Sequence, residues 1–257
     1  MGRSSRVPAL RQGVRILRLL ARHGGPMPAA AVARELELPR SSIYHLLSEL
    51  ETDGLVVHLP EERRYGLGLG AFELGSAYTR QAPLARLARP LLHDLVDDVG
   101  HGAHLAVLHG REVVYLLEER APGSPSLVTG VGVRLPAHLT ASGRAILAGL
   151  DAAQVRALFP DASAFADRHG VGPRSLSALR IVLSEVRQLG HATESGEVTP
   201  GFASVAVAAR DHAGYPIAGI AVTFAEDAVD LRVRPALAGR IVRTASDLSR
   251  RLGGGRP

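Results

Sequence analysis

Residues 38–54 read LPRSSIYHLLSELETDG, and how their side chains are disposed decides how the whole chain is read. Ile43, Leu46, Leu47 and Leu50 recur at helical spacing and mark one face for packing. The early positions between them carry Arg40, Ser41, Ser42, Tyr44 and His45. A helix face that meets only water ordinarily carries Glu, Lys and Gln, whereas hydrogen-bond donors gathered beside an arginine suit a partner. Pro39 disfavours helix in the residue before it, so the helix starts at about residue 40. Gly54 ends it, since glycine accepts the left-handed conformation that closes helices.

Upstream, ALRQGVRILRLLARH (9–23) places Leu10, Val14, Leu17 and Ala21 on one stripe with Leu20 beside it, and Gly24, Gly25 and Pro26 stop that helix. Ala29, Val32, Ala33 and Leu36 then define a second, short helix. Downstream, LVVHL (55–59) and RYGLGL (64–69) flank PEER, which reads as a hairpin turn. Helix, helix, short turn, helix and hairpin is the order of a winged helix-turn-helix, in which the helix after the turn enters the DNA major groove. Arginine pairs bidentately with guanine, and serine hydroxyls bond phosphate or base edges. Arg40, Ser41, Ser42, Tyr44 and His45 are therefore the candidate DNA contacts, with Arg63, Arg64 and Tyr65 on the wing. A protein-interaction module could share the same element order, and Glu61 and Glu62 at the wing tip do not suit close phosphate contact.

Charge distribution favours the first reading. The net charge is +5, yet residues 1–48 hold eight arginines against two glutamates, while residues 49–80 hold three against six acids. The positive excess surrounds the opening stretch, where it attracts phosphate. All 30 basic residues are arginine, so P-loop, Schiff-base and Ser-x-x-Lys chemistry is excluded. With no cysteine, disulfides, Cys-based zinc sites and thiol nucleophiles are excluded too. A hydrophobic content of 46% with 21% charged residues is that of a folded chain of one large or two ordinary domains. No apolar run approaches the ~20 residues of a membrane span. The basic N-terminus is followed by no signal-peptide core, so cytoplasmic residence is expected and no membrane partner.

Past residue 69 the texture changes. Residues 69–98 read as linker, with a short helix, an interruption at Pro83 and a second helix burying Leu84, Leu87, Leu91, Leu95 and Val99. Strands are expected at 104–109, 113–119, 126–133, 203–210 and 217–224, and helices at 140–150, 151–159 and 175–189. A closing helix runs through Leu237, Ile241, Ala245, Leu248 and Leu252. Adjacent strands mixed with helices make an α+β domain with a largely antiparallel sheet.

The block VGVRLPAHLTASGRAILAGL (131–150) is the most pointed feature of this half. Thr140 or Ser142 can cap the helix, and the small residues Ala141, Ser142 and Gly143 leave its first N–H groups accessible, which favours an anion. An N-cap with nothing bound is the plainer alternative on local grounds. His104 and His109 fall on opposite faces of a strand, so no metal site is expected. GLGLG (66–70) lacks the strand-turn-helix context of a dinucleotide loop and belongs with the wing. Glu194 and Glu197 could form a carboxylate pair, although solvated loop acids are commoner. No catalytic constellation assembles, and no cofactor is implied; an enzyme reading would need Ser142 with Glu194 or a nearby histidine.

Taken together, LRQGVRILRLL, LPRSSIYHLLSELETDGLV with RYGLG, LPAHLTASGRAILA, and LSEVRQLGHATESGEVTPGFASVAVAARDHAGYPIAGIAVTF resemble the IclR family of bacterial transcriptional regulators, from about residue 9 to 250. The resemblance implies a winged helix-turn-helix over 1–68, a linker helix over 69–83 and a GAF-like effector-binding and oligomerisation domain over 84–257. It implies homodimers or tetramers on near-palindromic double-stranded operators, mostly as repressors, without enzymatic activity. Carried over by motif, the effector-site residues are Ala141, Ser142, Glu194, Ser204, Ala221 and Thr223. Glu194 stands where an aspartate is typical, Ser204 where a cysteine is, and Ala221 where a serine is usual. These departures change both hydrogen bonding and room, and open the site to a ligand larger or less acidic than glyoxylate or pyruvate.

Overall fold

Helix α1 (Pro8–His23) buries Ile16 and Leu20 together with Gly13. Leu10 and Val14 face outward, so the packed stripe lies to one side of the one suggested by leucine spacing. The packed side is set by the shared core, in which Ile16 and Leu20 meet residues of the two following helices, Met27 and Val56. Helix α2 (Ala29–Leu36) buries Ala29, Val32, Ala33 and Leu36. Helix α3 (Arg40–Thr52) turns Ile43 and Leu47 wholly inward, with Leu46 and Leu50 half-buried. These three helices share one apolar core with Met27 and Val56. Each such fully buried aliphatic side chain contributes ~1.5–3 kcal/mol relative to exposure.

The hairpin follows as β1 (Val56–Leu59) and β2 (Arg64–Leu67), antiparallel, pairing Val56 with Leu67 and Leu59 with Arg64. Met27 adds a bridge to Tyr65, with both backbone bonds made at 2.8–2.9 Å. Beyond β2 the chain passes close over the end of α3, where a Cβ on Gly68 would lie 2.3 Å from the Gly54 carbonyl oxygen. The GLGLG run thus serves a close backbone crossing that leads into helix α4 (Leu69–Gln81).

The computed structural model describes residues 7–81, 83–123, 129–229 and 234–253, and the chain divides into two units, Met1–Ala82 and Pro83–Pro257. The second unit opens with α5 (Pro83–Val99), whose buried side is Ala85, Ala88, Leu91, Leu92, Leu95 and Val96. Its strands are β3 (Gly102–His109), β4 (Glu112–Glu119), β5 (Arg134–Pro136), β6 (Ala192–Ser195), β7 (Phe202–Arg210) and β8 (Pro216–Ala225). They form one antiparallel sheet in the order β5-β4-β3-β8-β7-β6. Helices α6 (Ala141–Ala148), α7 (Ala152–Leu158) and α8 (Leu176–Leu189) pack on one face through a core that includes Ala106, Ala145, Leu147, Leu179 and Ala206. Helices α5 and α9 (Arg234–Arg251) pack together on the other, where α9 buries Leu237, Ile241, Ala245 and Leu248.

Two expectations for this unit fail. Of the strand expected over 126–133, residues 126–128 lie outside the described set, and 129–133 form no strand but turn through Gly132 at φ +83°, so the strand starts at β5. The segment around Glu194, read as a solvated loop, is instead the edge strand β6 paired with β7. Only four residues long, it turns Ala192 and a carboxylate inward, so no hydrophobic alternation announces it.

Candidate functional sites

On α3 the inward anchors Ile43 and Leu47 leave Arg40, Ser41, Tyr44 and His45 exposed and Ser42 half-exposed. Pro39, at the N-cap, makes no side-chain cap, so the first amides of the helix are left for another acceptor. On the hairpin, Arg63 and Arg64 are both exposed, and Arg64 reaches back to the Pro26 carbonyl at 3.4 Å. Arg63 holds a left-handed φ of +51° in the turn, a conformation rare outside glycine. Tyr65 is half-buried, stacked on His58 with ring centroids 4.5 Å apart, so it serves the hairpin more than the surface.

In the second unit, Ala141, Ser142, Glu194, Ser204, Ala221 and Thr223 all line one internal cavity of about 20 Å³. Strand register explains the convergence. Glu194, Ser204, Thr223 and Gly102 are successive cross-strand partners over β6, β7, β8 and β3; Ala206, Ala221 and His104 form the neighbouring row. Helix α6 closes the cavity from above. Thr140, not Ser142, caps it, its hydroxyl accepting from Gly143 N at 3.0 Å. The helix start can lie so close because of two glycines, Gly219 on the strand facing it and Gly143 in its own first turn. A Cβ on Gly219 would meet the Ser142 backbone oxygen at 2.7 Å, and one on Gly143 the Ala137 oxygen at 2.2 Å. Arg144 is buried and fastens the helix start, donating to His138 O at 2.9 Å and Thr193 O at 2.7 Å and pairing with Glu197 at 2.9 Å. Glu197 is thereby a structural partner, and the two glutamates do not act as a carboxylate pair.

Polar atoms inside the cavity are incompletely matched. Glu194 accepts from the Ser204 hydroxyl at 2.7 Å, and Ser204 lies 3.0 Å from the Thr223 hydroxyl. The second Glu194 oxygen, Ser142 Oγ and His104 Nδ1 are buried without a hydrogen-bond partner. Groups left this way cost stability unless a ligand or water meets them. Burial pushes the Glu194 carboxyl up to about 7, with repulsion from Glu197 adding to it; Ser204 and Arg144 pull the other way. His104 is dragged down to about 4 by burial, against the attraction of Glu118. Its Nε2 lies 2.8 Å from Thr129 Oγ1, so a neutral imidazole closes the cavity beside Ala221. Ser142 has no base bonded to it, and Glu194 engages Ser204 instead, so no activated nucleophile is present here.

His104, Tyr115, Thr129, Thr140 and Phe202 also line the cavity. Spacing along the chain speaks for His104 only as a metal ligand; what places it at the cavity is its register opposite Ala221.

A family model described as the IclR helix-turn-helix domain matches residues 9–60, and one described as the bacterial transcriptional regulator IclR C-terminal region matches residues 76–250. The glycerol operon regulatory protein of Streptomyces coelicolor is 29% identical over 252 residues, 97% of this chain and 98% of its own. The transcriptional repressor AllR of Salmonella typhimurium is 28% identical over 254 residues, covering 95% and 90%. An IclR homologue of Microbacterium hydrocarbonoxydans, solved in complex with 4-hydroxybenzoate, superposes with a TM-score of 0.79 at 22% identity over 95% of this chain and 98% of its own.

Proposed function

The chain belongs to the IclR family of bacterial transcriptional regulators and is a DNA-binding regulator rather than an enzyme; on that premise we propose that it is a ligand-responsive repressor. The DNA contacts are Arg40, Ser41, Ser42, Tyr44 and His45 on α3, with Arg63 and Arg64 on the wing. The effector is a small organic molecule held by Ala141, Ser142, Glu194, Ser204, Ala221 and Thr223. Two or four copies of the chain place paired winged helices on a near-palindromic operator. Effector binding changes the relative populations of arrangements that match and mismatch the half-site spacing.

One observation carries the reading of the second unit. Six residues drawn from four separate elements meet around a cavity in which buried Ser142 Oγ and a Glu194 oxygen lack partners. The ligand seen in the Microbacterium homologue and the repressor role of AllR support the same direction.

A gel shift on DNA upstream of the chain's own gene, with and without metabolite pools, tests the proposal. The expected result is a sequence-dependent, salt-sensitive complex that a pool component releases. Arg40→Ala weakens that complex by ~1–3 kcal/mol and relaxes preference at one base position. Retention that is equal on scrambled DNA rules the assignment of α3 out.

A further inference from the structure

Glu194 reaches the cavity with one carboxyl oxygen engaged and one bare. Oε1 accepts from the Ser204 hydroxyl at 2.7 Å, while Oε2 is buried without a partner. At about 20 Å³ the cavity is close to the size of a single water, so a ligand group seated there lies within contact range of that oxygen. No arginine is among the described residues that line it. Arg144, on the helix that closes it, has its three side-chain nitrogens committed to His138 O, Thr193 O and Glu197. His104 on β3 stays a neutral ring because burial holds it near 4, and burial, with Glu194 adding to it, keeps the Tyr115 phenol on β4 un-ionised. Glu197, past the end of β6, brings a second negative charge, which Arg144 and the Val198 N–H oppose. Helix α8, also packed on β6, turns Leu179, Leu183 and Val186 inward. The start of α6 supplies roughly half a unit of positive charge, enough to offset one carboxylate at most.

Two carboxylates held that close without a cation between them cannot both ionise, so one must carry a proton. Glu194, titrating at about 7, is the one that takes it readily. We propose that Glu194 makes ligand entry electroneutral: an acid enters the cavity together with one proton that Glu194 takes from solvent, whereas a neutral hydrogen-bond donor enters against the ionised carboxylate and takes none. This rests on the effector-binding reading above and adds a charge rule to it. Once protonated, Oε2 donates to the ligand carboxylate while Oε1 keeps its bond from Ser204, so the proton fills the position that lacked a partner. Ser142 Oγ, likewise unpartnered, donates to the same group. Affinity for an acid thereby depends on pH through a residue of the site, the acid itself being ionised throughout.

The test uses the full chain with pyruvate and its neutral isostere pyruvamide as probes, titrated by calorimetry from pH 6 to 9. At pH 8 the titrations are repeated in two buffers of different ionisation enthalpy, which counts protons taken up. The pyruvate dissociation constant should rise about tenfold between pH 6 and 8 and about tenfold again by pH 9, with about one proton taken up per pyruvate at pH 8. Pyruvamide should not weaken over the same range and should take up no proton. Glu194→Gln keeps an acceptor for Ser204 and removes the titration, so its affinity for pyruvate should be flat with pH; ligand-free melting checks that it folds. Ser204→Ala keeps Glu194 but removes the hydroxyl that favours its ionised form, and should move the midpoint of the pyruvate pH dependence above 7. A merely structural role for Glu194 would instead lower affinity in Glu194→Gln by the same factor at every pH, with the slope retained. Pyruvate bound equally from pH 6 to 9 without proton uptake overturns the charge rule and leaves the effector site standing. If neither probe binds the wild-type chain at any pH, the effector reading of this cavity falls and takes the rule with it.

Discussion

Arg63 shows how a single residue can be kept at a cost. Its φ of +51° puts a long side chain in the left-handed region, where a Cβ is crowded and glycine is at ease. The turn gains nothing from arginine there, but on the proposed function an exposed guanidinium in the hairpin turn gains reach toward phosphate. Arg63→Gly is therefore expected to raise unfolding free energy by up to about 1 kcal/mol while weakening operator binding, two opposite signs from one change. Urea titration and gel shift on the same preparation decide it; a loss in both measurements would make the arginine merely structural. Glu194 carries a second conflict. Its carboxyl titrates near 7 when folded and near 4.5 in the reference state, so the folded chain holds the extra proton between those values and stability falls as pH rises through that window. His104 works the other way: folded near 4 against a reference of 6.5, it adds stability as pH rises from 4 to 6.5. Replacing Glu194 by Gln removes only the falling limb. The difference in unfolding free energy, variant minus parent, should then grow by roughly 3 kcal/mol between pH 4.5 and 7. A difference that stays flat with pH would mean that the carboxyl is solvated after all.

At the scale of elements, α6 is held by absences of side chain as much as by contacts. Gly143 and Gly219 allow its first turn to lie on the Ala137 turn and on β8 at distances a Cβ would violate. Gly143→Ala must push backbone against backbone, and is expected to cost ~1–3 kcal/mol in thermal unfolding and to blunt any ligand response. An unchanged melting point would show that the helix start can retreat without loss. Much of the element order was legible because it follows from local rules: α2 and α3 from their apolar spacing, Gly54 as a stop, the hairpin from PEER between two apolar runs. What escaped was set by tertiary partners. Leucine spacing puts Leu10 and Val14 inward on α1, whereas the core shared with α2 and α3 takes Ile16 and Leu20. Strand β6 gave no local signal, since its inward residue is a glutamate whose place depends on Ser204 across the ladder. For the cavity, the motif at 140–144 pointed to its helix start, while the contribution of His104 required knowing which strand lies beside β8.

For the whole molecule, charge and chemistry are partitioned between the two units. The surplus arginines lie within residues 1–48, whereas the unmatched buried polar atoms of the cavity lie in Pro83–Pro257. On the proposed function, binding DNA and binding a ligand are tasks of different units, and regulation requires that each bias the same equilibrium. A ligand can shift that equilibrium only by its differential affinity for the two states, and the coupling is reciprocal. Whatever factor the ligand imposes on the operator dissociation constant, saturating operator must impose on the ligand's. Residues 83–257 produced alone should bind the ligand as the intact, DNA-free chain does, because every residue lining the cavity lies within them. The intact chain on its operator should bind it more weakly, by a factor in the range of about 5–150 typical of such coupling. Titrating the ligand by calorimetry in these three settings, and the operator with and without ligand, gives two independent values of one factor. Equal ligand affinity with and without operator would leave the second unit as an assembly module and remove the ligand from regulation.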